Sequence, residues 1–289
     1  MKAPALEATA SLLEVLPWEE EVNGVLGRRC QSLYPGNAYY FSLGLLRQLM
    51  KSRFDIVRGH NYHAIPLLLS RCASSQRFIV SPHYHRYGTT AFRHARIRMY
   101  KPLGGRILRE ADHIIAASKH EKGLVVKDFG INPAKIAVIP HGVNAADFRN
   151  LKRRERDHRT ILCVARLEKF KGVQHVIRAL PLLDEDIRLK IAGEGPYERD
   201  LMRLATRLRV KHRTDILQYL SGAELLERYA GADLFIMLSE RENYGMGVGE
   251  ALAAGTPCIV AARSALADWV DDSASHVAEA LQYRRRDMR

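Results

Sequence analysis

The segment Ser239–Ala262, SERENYGMGVGEALAAGTPCIVAA, decides how the rest of the chain is read. It places two carboxylates, Glu242 and Glu250, with seven residues between them. Glu242 follows the apolar, strand-like run Leu234–Leu238. Glu250 falls in a small-residue helix that ends at Gly255, before Pro257, and a second strand-like run, Cys258–Ala262, follows. The unit is strand–loop–helix–strand, and its glycine-rich loop opens onto a helix N-terminus. Such a terminus offers unpaired N–H groups and a positive dipole end to an anion. Gly245, Gly247 and Gly249 let the backbone approach a ligand closely. The pattern suggests a phosphate-bearing ligand with hydroxyls for the two glutamates. A structural unit has the same ingredients, because acids near a helix start complement its dipole and small residues suit packing on a sheet.

Outward from this segment, strand-like runs alternate with helical patterns. Phe54–Val57, Phe78–Val80, His113–Ala116 and Ile136–Ile139 are expected strands of a first half. Ile161–Ala165, Leu189–Ala192, Leu234–Leu238 and Cys258–Ala261 are expected strands of a second. Val173–Leu183, Glu198–Leu208 and Ala223–Ala230 are expected helices. This alternation implies α/β architecture with parallel sheets. Phe148–Arg159 is polar and charged and is the expected linker, giving domains 1–147 and 148–289. Ligands of open α/β sheets sit beyond the carboxyl ends of strands. Four loops occupy such ends: Pro82–His85 (PHYH), Arg166–Gly172 (RLEKFKG), Gly193–Pro196 (GEGP) and the Glu242 loop.

Arg166 and Lys171 are five apart and flank a turn leading into a helix near Gly172. Two cations at that spacing suit one diphosphate, Arg as a bidentate donor and Lys as a point charge; a loop of solvated charges has the same spacing. Asp184–Asp186 (DED) has a D-x-D look but falls in a helix-to-strand turn, and it is expected to be solvated rather than metal-binding.

Composition bounds the partners. The 289 residues suffice for two domains, and 47% hydrophobic with 27% charged residues is ordinary for a globular protein. No run of about 18 uncharged apolar residues is present, and the N-terminus is a poor signal peptide. Cys30, Cys72, Cys163 and Cys258 lack paired spacing and suggest thiols in a reducing cytosol. The net charge of +13 favours anionic partners: nucleotide, nucleic acid or an anionic membrane face. Arginines concentrate in Arg93–Arg109 and in Lys152–Arg159. The first stretch interleaves Ile97, Met99, Tyr100 and Leu103, which suits either an anionic lipid surface or a solvated helix face.

Five segments occur in the order found in one enzyme family: Val138–Phe148 (VIPHGVNAADF), Val164–Gly172 (VARLEKFKG), Ile191–Pro196 (IAGEGP), Leu225–Ser239 (LLERYAGADLFIMLS) and Glu240–Val260 (ERENYGMGVGEALAAGTPCIV). Together they resemble the retaining glycosyltransferases of family 4, which have two Rossmann-like domains facing across a cleft, the GT-B architecture. The resemblance covers about Asp55 to Asp271. It implies that Arg166 and Lys171 bind the nucleotide diphosphate and that Glu242 meets hydroxyls of the transferred sugar. The backbone of Asn243, Tyr244, Gly245 and Met246, with the Gly193 loop, would hold sugar and phosphate. Glu250 would bind the ribose, and His83 would face the sugar from the first domain. His141 stands where the family more often has Asn and is given no direct role. The implied reaction retains anomeric configuration, needs no metal or cofactor, and uses the nucleotide-sugar as co-substrate. The acceptor would be lipid-linked or a polysaccharide, and the protein cytoplasmic, peripheral on the inner face of a membrane.

The chain also departs from the family. No opening strand and glycine-rich loop precede Arg53, and the chain ends in SASHVAEALQYRRRDMR where the family continues through helices that return to the first domain. Both ends are therefore expected to be truncated or replaced, leaving the first domain and the closing helices incomplete. Two other readings follow: a weak or inactive nucleotide-sugar-binding remnant, and a basic nucleic-acid-binding protein. The second is disfavoured, since no nucleic-acid module is recognisable and the basic stretches lack regular aromatic interleaving.

Overall fold

The computed structural model describes residues 19–22, 24–31, 42–62, 74–86, 91–149, 151 and 158–270. Met1–Pro17, Cys72, the carboxyl tail Ser273–Arg289 and most of the basic run Lys152–Arg159 lie outside the described residues. The chain separates into two compact units, Met1–Ile139 and Pro140–Arg289. The division falls before the expected linker. Strand pairing holds Val138 to the first sheet, whereas the turn Ala145–Phe148 packs on helix Gly222–Ala230 of the second unit and buries Phe148.

The first unit is built on a parallel sheet of order β3 (Arg53–His60), β4 (Ser74–Ser81), β5 (His113–Ala116), β6 (Ile136–Val138). Val57, Phe78, Val80, Ile114 and Ile136 form its core. A hairpin the sequence did not betray, β1 (Glu19–Val22) and β2 (Val25–Arg28), sets Glu19 opposite Arg28. Helix α1 (Leu43–Lys51) buries Leu45 and Leu49 and is capped by Ser42, whose Oγ accepts from Leu45 N. Helix α2 (Ala91–Glu110) lies against the rings of Tyr62 and Phe129, which Gly104 and Gly105 permit, since a Cβ at either would strike a ring. Helix α3 (Lys119–Phe129) is capped by Ser118 and stopped by Gly130 at φ 64°.

The second unit alternates β7 (Thr160–Val164), α4 (Val173–Ala179), β8 (Arg188–Ala192), α5 (Glu198–Arg207), β9 (Thr214–Leu217), α6 (Gly222–Ala230), β10 (Leu234–Met237), α7 (Met246–Ala253) and β11 (Cys258–Val260). The sheet order is β11-β10-β7-β8-β9, all pairs parallel. The chain runs outward from β7 to β9, then returns to β10 on the other side of β7. That reversal makes a topological switch point between β7 and β10, the place where such sheets bind ligands. The expected helix Val173–Leu183 stops at Ala179 and continues as a 3₁₀ turn, Leu180–Leu182, because Pro181 has no N–H to give and crowds the preceding turn. Strand β9 escaped the sequence reading because it is a short edge strand interrupted by exposed Asp215.

Candidate functional site

Two loops leave the carboxyl ends of β7 and β10 at the switch point. The β7 loop ends at Gly172, φ 79°, where a Cβ would fall inside van der Waals contact of the Leu238 carbonyl. Glycine there lets the β7 loop lie directly on the end of β10. Lys171, next to it, consequently meets Glu242: Nζ donates to Oε1 at 2.6 Å, with side chains only 18% and 15% exposed. Arg166, on the same loop, is 68% exposed and donates to Glu168, whose side chain is largely buried. Each cation of the expected diphosphate pair thus has a carboxylate partner.

The Gly193 loop is tied to the β7 loop through backbone. Leu167 N donates to Glu194 O at 2.8 Å, and Tyr197 N to Leu167 O at 2.9 Å. Gly193 and Gly195, at φ 142° and 157°, press on the carbonyls of Ala165 and Leu167, where no larger residue fits.

The β10 loop delivers Asn243, Tyr244 and Gly245 to the start of α7. Gly245 is the N-cap at φ 90° and provides no side-chain cap; Met246 is the first helical residue. Asn243 Oδ1 is buried and has no hydrogen-bond partner among the described residues. Tyr244 is clasped by two residues to which the sequence reading gave no role. The Trp269 Nε1–H donates to Tyr244 O at 2.5 Å and the two rings lie 5.0 Å apart. His141 meets the Tyr244 ring edge-on at 5.4 Å. Glu250, on α7, accepts from the Tyr229 hydroxyl at 2.7 Å. Tyr229 is fully buried, and burial together with the Glu250 carboxylate pushes its phenol far above the ordinary range, so it remains a donor. Nothing in the spacing of Tyr229 or Trp269 announces these contacts.

In the first unit, His83 lies in the loop after β4. Its Nε2 is 3.2 Å from Nδ1 of His60, at the end of β3, and the rings stack at 5.5 Å. Asp184 and Asp186 are bridged by Arg159 in an exposed turn. Among the described residues, no group of three or more His, Cys, Asp or Glu could hold a metal ion. Burial pushes the thiols of Cys163 and Cys258 up to about 12 and about 11.

The structure of Anabaena Alr3699/HepE in complex with UDP-glucose superposes at a TM-score of 0.67 and 16% identity, covering 79% of this chain and 65% of that one. The fold is that of the GT-B glycosyltransferases. Glycosyltransferase Family 4 matches residues 11–147, and Glycosyl transferases group 1 matches residues 145–279. The chain belongs to the family 4 glycosyltransferases. It is 32% identical over 215 residues to the GDP-mannose-dependent alpha-(1-6)-phosphatidylinositol monomannoside mannosyltransferase of Mycolicibacterium smegmatis, covering 68% of this chain and 54% of that protein. It is 28% identical over 264 residues to the alpha-monoglucosyldiacylglycerol synthase of Streptococcus pneumoniae, covering 86% and 55%. The chain spans about half the length of these curated relatives.

Proposed function

We propose that the chain transfers a sugar from a nucleoside-diphosphate sugar to a lipid-borne hydroxyl, with retention of anomeric configuration and without a metal. The observation that carries this reading is the Lys171–Glu242 pair at the switch point, beside the start of α7. Breaking the glycosidic bond places negative charge on the departing diphosphate. Lys171, Arg166 and the N–H groups at the start of α7 are fixed positive groups suited to stabilise it. Glu242 orients sugar hydroxyls, Glu250 the ribose, and the leaving phosphate accepts the proton of the acceptor hydroxyl. His83 serves the transferred sugar. The UDP-glucose held by the Anabaena protein and the lipids in the names of the two relatives support the substrate classes.

Helix α2 supports a membrane-proximal acceptor. Ile97 and Tyr100 pack on the core, so the apolar contribution narrows to Met99, 81% exposed, and exposed Leu103. Arg98, Arg106 and Arg109 are exposed with them. Electrostatic attachment is worth about 1 kcal/mol per basic residue near an anionic surface. Among the described residues no helix is long and apolar enough to cross a membrane.

The test is transfer from UDP-glucose and GDP-mannose to diacylglycerol and phosphatidylinositol in vesicles, with and without EDTA. The expected result is an α-linked product from an α-linked donor, unaffected by EDTA. An inverted product, or nucleotide-sugar binding without turnover on any acceptor, would refute the reading.

A further inference from the structure

The loop Pro82–Arg86 is held in an unusual backbone path. His83 and Arg86 have φ of 47° and 64°, in the left-handed region that non-glycine residues seldom adopt, and Asn61 beside them has 67°. Such a path persists only where the surroundings over-determine it. Part of that determination comes from the end of β3: Asn61 N donates to Ser81 O at 3.0 Å and Tyr62 N to Pro82 O at 2.7 Å. Within the loop, His85 Nδ1 lies 3.1 Å from His83 O, and further bonds come from one face of α3.

Glu121 is fully buried, and both of its carboxylate oxygens are used. One accepts Ala117 N at 2.7 Å, at the start of α3 itself. The other leaves the helix and accepts the N–H of Tyr84, the residue after His83, at 2.6 Å. Two turns further along the same face, Asp128 accepts the Tyr84 hydroxyl at 2.8 Å. Asp128 also takes a two-point bond from Arg86, at 2.7 and 2.5 Å. The Tyr84 ring is buried between Tyr62 and Phe129. Helix α3 is already capped by Ser118, so capping does not explain the reach of Glu121 to Tyr84. A buried carboxylate is costly unless it is fully bonded, and this one spends half its bonding on the loop.

We propose that Glu121 and Asp128 are positioning residues for His83. They form a carboxylate clamp, two turns apart on α3, that fixes the backbone on the far side of His83 so that its imidazole meets His60. The proposal rests on the reading that His83 serves the transferred sugar.

The test compares Glu121→Gln, Asp128→Asn, Tyr84→Phe and His83→Gln in the full chain. One measurement is the long-range ¹H–¹⁵N imidazole spectrum, with His83 and His60 assigned by their own substitutions. The other is the split between kcat and donor KM. In those clamp variants that fold, judged by the urea midpoint, the His83 and His60 ring signals should move together. Their kcat should fall by about tenfold, with KM changed less than about twofold. Unmoved ring signals in the folded clamp variants would overturn the proposal, whatever their activity. Moved signals alongside a His83→Gln variant of undiminished kcat would uphold the clamp and overturn only the role given to His83. Should Glu121→Gln fail to fold, Asp128→Asn and Tyr84→Phe decide the matter by the same signals.

Discussion

Separating Lys171 from Glu242 is the sharpest perturbation of the switch point. Exposed ion pairs couple by about 0–1 kcal/mol, and hydrogen bonds to charged groups contribute about 1.5–3 kcal/mol. At 2.6 Å, with both side chains mostly buried, this pair belongs to the stronger group. A cycle of Lys171→Met, Glu242→Gln and the double variant, measured by urea unfolding, should give a coupling of about 1.5–2 kcal/mol. Ligand binding adds a second arm. Glu242 holds the cation assigned to the diphosphate, so removing its charge frees Lys171. Glu242→Gln should therefore bind UDP no more weakly than the parent, whereas Lys171→Met should lose about tenfold, or ~1.4 kcal/mol. Coupling below about 0.5 kcal/mol would refute the ion pair. Equal loss of UDP affinity in both variants would refute the division of roles between diphosphate and sugar.

Tyr229→Phe removes the donor to Glu250, and it should weaken nucleoside diphosphate binding by calorimetry, with no further loss when Glu250→Gln is added. Gly172→Ala forces a Cβ toward the Leu238 carbonyl at φ 79°; it should cost about 1–3 kcal/mol in urea unfolding and raise the donor KM. Burial raises the Asp128 carboxyl, but the bonds from Arg86 and Tyr84 outweigh it and hold the group below the usual carboxylate range. Its stabilisation is therefore complete above the unfolded value of about 3.9 and is lost as pH falls through the lowered folded value. Asp128→Asn should flatten that acid limb of the urea midpoint against pH. Met99→Ser with Leu103→Ser should reduce sedimentation with anionic vesicles, an association that fades as salt rises; recovery equal to the parent's would argue against the α2 surface.

The strands at the centre of both sheets were legible because parallel strands are covered on both faces and appear as continuous apolar runs. Ile161–Val164 and Leu234–Met237 are such runs. Strand β9 is interrupted by Asp215, and β1 is three consecutive glutamates before Val22, so neither leaves such a run. The candidate residues Arg166, Lys171, Glu242 and Glu250 stand on short local patterns. Their partners do not: Lys171 meets Glu242 across 71 positions of sequence, and Tyr229 meets Glu250 across 21. Those contacts depend on β10 returning beside β7, a fact of topology that no local spacing records. Likewise Ile97 and Tyr100 look like membrane-facing residues in the basic helix, but the helix turns them onto Tyr62 and the core.

The most direct measurement of the central claim is calorimetric titration of UDP-glucose and GDP-mannose into the parent chain and into the Arg166→Ala, Lys171→Ala double variant. One of these donors should bind the parent, and the double variant should lose at least about a hundredfold in Kd, or ~2.7 kcal/mol. An unchanged Kd in the double variant, or no binding of either donor to the parent, would contradict that claim.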